Sequence, residues 1–194
     1  MAPVPSHHRP RLGVLLSGTG RTLQNLIDRI VDGRLRASIA GVASDRDDAY
    51  GLQRAMEHGL DAQHLRDPSE IWSYLHEVDC DLVILAGYLR LLPIIPEFHD
   101  RVLNIHPSLL PKHGGRGMHG DRVHASVLAA QETESGCTVH LCNERYDDGR
   151  VLLQARVPVL PGDDVKKLAA RVFVAECEAY PAAIAMHWQT LYQG

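Results

Sequence analysis

Short apolar runs alternate with stretches of helical periodicity along most of the chain. Leu12–Leu16 predicts a strand, followed by the turn Ser17-Gly18-Thr19-Gly20. A helix follows on Leu23, Leu26, Ile27 and Ile30, with Gly33 as its stop. Ser38–Ala43 predicts a second strand, Asp48–His58 a helix ending at Gly59, Leu60–Leu65 a short strand and Pro68–Val78 a third helix. Leu82–Ala86 is apolar at every position, the pattern of a central parallel strand covered on both faces. Val102–His106 reads as another strand and Arg122–Ala130 as a helix. Then the texture changes. Cys137–Cys142 and Val151–Val159 flank the hairpin signal Asp147-Asp148-Gly149, and a long helical pattern runs from about Asp164 to Trp188 with an interruption at Pro181. Repeated strand–helix units predict an α/β fold: a mostly parallel twisted sheet flanked by helices, with an antiparallel C-terminal hairpin addition.

Composition narrows the function classes. The 194 residues suit one domain, expected over 11–194, behind a disordered leader over 1–10 that has three prolines and no hydrophobic signal core. An apolar fraction of 45% and a charged fraction of 23% exclude wholesale disorder. Twenty Lys and Arg against 24 Asp and Glu leave a net charge of −4, which argues against nucleic acid as a partner. No apolar run reaches the roughly 18 residues of a membrane span, so no membrane partner is expected. The four cysteines lack C-x-x-C spacing and read as reduced thiols of a cytoplasmic protein. Only Lys112, Lys166 and Lys167 among the cations are lysines. That bias fits forked recognition of carboxylate or phosphate, and equally an arginine-rich genome.

Three unusual segments fall at strand ends, where ligands gather in open α/β sheets. The turn Ser17–Thr22 feeds a helix N-terminus and reads as a phosphate cradle or as a plain tight turn; Leu23 stands where a dinucleotide fingerprint needs a third glycine. Ala86–Arg90 is the second segment. In the third, Asn104 and His106 stand two apart on a strand and share one face, and Pro107 biases His106 to an extended conformation. An amide and an imidazole among Val102, Leu103 and Ile105 are either a satisfied polar pair or an acid–base site. On the last helix, Glu176 falls within the apolar stripe of Val165, Leu168, Ala169, Val172, Ala175 and Ala179. A carboxylate there needs a ligand or an internal base. Asp147 and Asp148, by position, shape a turn. His113, His119, His124, His140 and Cys142 have no metal-ligand spacing, so no metal is expected.

The run Leu103-Asn104-Ile105-His106-Pro107-Ser108-Leu109-Leu110-Pro111-Lys112 resembles the signature of folate-dependent formyltransferases. The glycine turn with Leu23-Gln24, Leu85–Arg90, Gly136–His140, Tyr146–Arg150 and Gln154–Val159 agree in order, so the resemblance spans about Arg11 to Trp188. It implies a Rossmann-like formyltransferase fold, with a phosphate and nucleotide side over about 11–100 and a catalytic and folate side over about 101–188. The compact length and glycine turn are similar to the purine-pathway branch, which moves a formyl group from 10-formyltetrahydrofolate to the amine of glycinamide ribonucleotide without a metal or a tightly bound cofactor.

Carried over by motif, Asn104, His106 and Asp147 resemble the catalytic trio, with Asp147 expected to keep the His106 ring charged. Gly20, Arg21 and Thr22 match the phosphate positions, and Glu176 the ribose or amine side. Arg66, Tyr88, Leu89, Arg90, Leu91 and Leu92, with Asn104, match the folate side, and His140 stands behind the trio. The resemblance implies a monomer or homodimer. The pattern departs at Thr22, where many members have Asn, at Asp148, where many have Gly or Thr, and in the glycine-rich segment 113–120. Many members also continue into a further hairpin where this sequence ends. Length and charge leave no room for the tRNA-binding domain of methionyl-tRNA formyltransferases, and the leader is too short for a hydrolase's regulatory domain. A non-catalytic nucleotide-binding module is the reading from another class.

Overall fold

A computed structural model describes residues 9–193. Residues 1–8 of the expected leader lie outside the described residues, whereas Pro10 is buried and its carbonyl accepts from the Ser38 N–H at 2.9 Å. Strand β1 (Arg11–Leu16) leads to helix α1 (Arg21–Val31), then β2 (Ser38–Ser44), α2 (Tyr50–Glu57), β3 (Ala62–His64), α3 (Pro68–Glu77) and β4 (Leu82–Leu85). A 3-10 turn (Pro96–Phe98) precedes β5 (Val102–His106), α4 (Asp121–Ala129), β6 (Glu134–Leu141), β7 (Val151–Pro158) and α5 (Val165–Gln193). The seven strands form one sheet in the order β3-β2-β1-β4-β5-β6-β7; the first five run parallel, and β6 pairs antiparallel with both β5 and β7.

The apolar run of β4 is buried on both sides as its sequence requires. Leu82 and Ile84 pack into the core formed with α1, α2, α4 and α5, while Val83 and Leu85 face the smaller core formed with α3 and Phe98. Strand order reverses between β1 and β4, so their following loops diverge and open a crevice at the carboxyl edge.

Two local expectations change. The helical pattern does not break at Pro181: α5 is continuous through it. Proline has no N–H for the carbonyl four residues back. That carbonyl, of Cys177, instead accepts from Asn25 Nδ2 at 3.0 Å and Arg29 Nε at 3.4 Å, so α1 supplies the missing donors. The second change is at Asp147-Asp148-Gly149, which is no tight hairpin. Residues 142–150 form a longer loop that folds back over one face of the sheet, closed by Leu141 N–H to the Arg150 carbonyl at 2.9 Å.

Candidate active site

The end of β5 sets the centre of the site. Asn104 and His106 project from the same face, and the antiparallel register puts His140 of β6 directly beside Asn104. The loop 142–150 returns Asp147 onto these side chains. His106 Nδ1 lies 3.4 Å from Asp147 Oδ2, and Asn104 Nδ2 donates to Asp147 Oδ1 at 3.4 Å. His140 Nδ1 faces the Leu141 carbonyl at 2.9 Å, so the neutral ring carries its proton there. Its Nε2 then accepts from Asn104 Nδ2 at 3.1 Å. One amide hydrogen is thus committed to His140; the other is held by a long bond that a stronger acceptor can replace.

The glycine-rich segment closes over this group through its backbone. The His113 carbonyl stands 2.9 Å from His106 Nε2, and Gly115 N–H donates to Asp147 Oδ2 at 2.9 Å. A Cβ on Gly114 would displace Leu110 Cδ2 and lie 3.2 Å from Asp147 Cβ, so a side chain there would crowd the carboxylate. Both His106 ring nitrogens therefore face oxygen acceptors, an arrangement only the doubly protonated ring satisfies. Burial works against that charge. His106 is 4% exposed, and burial lowers its pKa below the ordinary value although Asp147 and the His113 carbonyl pull it upward. The carboxylate thus acts in the direction expected of it, against the larger effect of burial. Asp147 itself titrates below its ordinary value. Burial would raise it, but its polar neighbours, the Gly115 N–H among them, outweigh burial.

A cleft of about 220 Å³ opens above the trio, lined by Thr22, the loop 87–92, Asn104 to Pro107, Asp147 and Glu176. Gly115, Met118, His119, Asn143, Arg145 and Tyr146 also line it. Burial raises the Glu176 carboxyl to about 7, opposed by the Arg21 cation. The Tyr180 hydroxyl, one turn further along α5, lies 3.0 Å from the Leu85 carbonyl and 2.9 Å from that of Leu103. This pins the helix to the ends of β4 and β5 and aims Glu176 at the cleft.

The turn after β1 caps α1 with Gly20 at φ 72°, where a Cβ would lie 2.7 Å from Gly51 Cα. The first-turn N–H groups of α1 are therefore left for an anion. Arg21 is exposed, its guanidinium 3.8 Å from the Phe173 ring centroid.

Of the residues singled out from the sequence, Thr22, Tyr88, Leu89, Arg90, Leu91, Leu92, Asn104, His106, Asp147 and Glu176 share the cleft. Gly20 and Arg21 flank it through α1, and His140 stands behind Asn104. Arg66 opens instead onto a separate hollow with Ser17, Asp45 and His64, joined to the loop 87–92 by Arg90 Nη1 donating to the Arg66 carbonyl at 2.8 Å. Asp148 is exposed and paired with Arg145. The contacts of the His113 carbonyl and the Gly115 N–H had no signal in residue type, because both are backbone groups. Among the described residues no group of three or more His, Cys, Asp or Glu is arranged to hold a metal, and no helix is long and apolar enough to cross a membrane.

A family model described as formyl transferase matches residues 10–184. The phosphoribosylglycinamide formyltransferase of Haemophilus influenzae is 37% identical over 185 residues, covering 90% of this chain and 85% of that protein. The trifunctional purine biosynthetic protein adenosine-3 of Drosophila pseudoobscura pseudoobscura is 41% identical over 93% of this chain, which spans 14% of that longer protein. Among solved structures, glycinamide ribonucleotide transformylase 1 from Symbiobacterium toebii superposes with a TM-score of 0.83 at 40% identity, covering 92% of this chain and 87% of that one.

Proposed function

The chain belongs to the formyl transferase family, and from that premise we propose that it transfers the formyl group of 10-formyltetrahydrofolate to the amine of glycinamide ribonucleotide. The observation that carries the reading is the convergence of Asn104, His106 and Asp147 in one cleft with Glu176, the N-terminal end of α1 and the loop 87–92. A ribonucleotide phosphate suits the first turn of α1, at Gly20, Arg21 and Thr22, where free N–H groups and the helix dipole favour an anion. Glu176 takes the ribose or amine side, and the pterin lies along Tyr88 to Leu92, with Arg90 at its outer end.

The amine nitrogen attacks the formyl carbon, and a C–N bond forms as the carbonyl oxygen becomes an oxyanion. The loosely held Asn104 N–H can turn to that oxygen. His106 Nε2–H can do the same once substrate replaces the His113 carbonyl. Negative charge appearing beside the buried imidazole opposes the effect of burial and favours its doubly protonated form. Asp147 supports the cation and, through water, relays the proton lost by the amine to the departing folate nitrogen as the C–N10 bond breaks. None of these steps uses a metal or a tightly bound cofactor.

The test gives the purified protein 10-formyltetrahydrofolate with and without glycinamide ribonucleotide and follows release of tetrahydrofolate. Release that requires the ribonucleotide supports the reading. Release that ignores it indicates a hydrolase, and none under either condition leaves a binding module.

A further inference from the structure

The crevice between β1 and β4 is spanned by one buried hydroxyl that the chemistry above does not use. Ser17, the first residue after β1, is 5% exposed. Its N–H donates to the Gly87 carbonyl at 3.1 Å, carrying the β1–β4 ladder beyond the strands. Its Oγ donates to Asp45 Oδ1 at 2.5 Å and accepts from the Leu89 N–H at 3.0 Å. One hydroxyl thereby links the ends of β2, β1 and β4. A donor and an acceptor are needed at the same atom, which few side chains of this size offer. Asp45 also lies near Tyr88, whose phenol is pushed up to about 12 by burial and by that carboxylate.

We propose that Ser17, oriented by Asp45, is the positioning residue that fixes the loop 87–92 in its folate-binding shape. This rests on the folate assignment of that loop above. The loop needs such a fixture. Gly87 has φ 79°, Leu89 and Leu91 are exposed, and past Gly87 the strand ladder has ended. Without the hydroxyl, the Leu89 N–H loses its side-chain acceptor and the Asp45 carboxylate loses its donor. The loop then samples other shapes, and the folate binds only the fraction in the competent one. Thr22 and Glu176 come from α1 and α5 and are untouched, so the ribonucleotide side keeps its geometry.

Tetrahydrofolate affinity, read by quenching of intrinsic fluorescence, and steady-state kinetics test this together. Ser17→Ala is expected to weaken tetrahydrofolate binding and raise the 10-formyltetrahydrofolate KM about tenfold, with kcat and the ribonucleotide KM within about twofold. Asp45→Ala should move the same parameter in the same direction. Asp45→Asn, which keeps an oxygen acceptor for the hydroxyl, should stay within about twofold of wild type. Equal affinity for tetrahydrofolate in wild type and Ser17→Ala overturns the proposal, as does a loss spread evenly over kcat and both KM values. If Ser17→Ala fails to fold, Asp45→Ala and Asp45→Asn carry the decision. Wild-type protein that binds no tetrahydrofolate contradicts the formyltransferase reading, and this inference falls with it. Wild-type protein that binds it with no Ser17 dependence removes the inference alone.

Discussion

The turn after β1 and the end of β5 stand at the same carboxyl edge of one sheet and are built in opposite ways. The turn is contiguous: a left-handed Gly20, the opening residues of α1 and backbone N–H groups. The end of β5 is assembled from far along the chain. Asn104 and His106 depend on Asp147 and His140, and the backbone of residues 113–115 closes the group. A site made of backbone at a helix N-terminus binds an anion and loses little when one side chain changes. A site made of interlocked side chains does chemistry, and each member holds another in place.

Substitutions at β5 should accordingly give the largest effects. His106→Ala should lower kcat by roughly 10²–10⁴, with the ribonucleotide KM little changed. Asn104→Ala should cost roughly 10²–10³ in kcat by removing one oxyanion donor. A loss under tenfold at His106 would erase the distinction between the two regions.

Glu176 lies between them and tests burial directly. Its folded pKa of about 7 exceeds the unfolded carboxylate value, so the native state holds a proton that the unfolded chain releases first. Its stabilising protonated form is fully present below the unfolded value, and stability is lost as pH rises to about 7. Glu176→Gln should flatten that decline and raise stability above pH 7 by on the order of 1–3 kcal/mol, measured by urea unfolding across pH. An unchanged pH profile would mean the carboxyl is better solvated than its surroundings indicate.

At the turn, Thr22→Ala should raise the ribonucleotide KM by no more than about tenfold and leave kcat within a few-fold. A larger effect on kcat than on KM would make the turn part of the chemistry. The smallest effect is spectroscopic. The His106 ring should titrate below its ordinary value by NMR, and Asp147→Asn should lower it further by removing the carboxylate that pulls it up. An upward shift would contradict the electrostatics of the pair.

Sequence and structure agree where local pattern decides. β5 runs from Val102 to His106 as its apolar residues and Pro107 predict, and β4 is buried on both faces. The parallel sheet, the antiparallel addition and the clustering of the strand-end segments follow from the same patterns. Disagreement begins where one element answers to another. Asp147 reads locally as a turn aspartate, because nothing nearby in sequence tells that its loop folds back to β5. Pro181 reads as a break because the donors that satisfy the Cys177 carbonyl belong to α1. His106 reads as a charged ring when only the neighbouring carboxylate is considered, while its burial, which pulls the other way, comes from packing across the sheet. Ser17 reads as a turn residue until Leu89 and Asp45 stand beside it.

The most direct measurement follows the carbon itself. Protein is incubated with glycinamide ribonucleotide and 10-formyltetrahydrofolate labelled with carbon-13 in the formyl group, and the label is traced by NMR. The account predicts a formamide signal on the ribonucleotide in wild type, reduced by orders of magnitude in His106→Ala. Label appearing as free formate, or transfer that persists in His106→Ala at the wild-type rate, would contradict it.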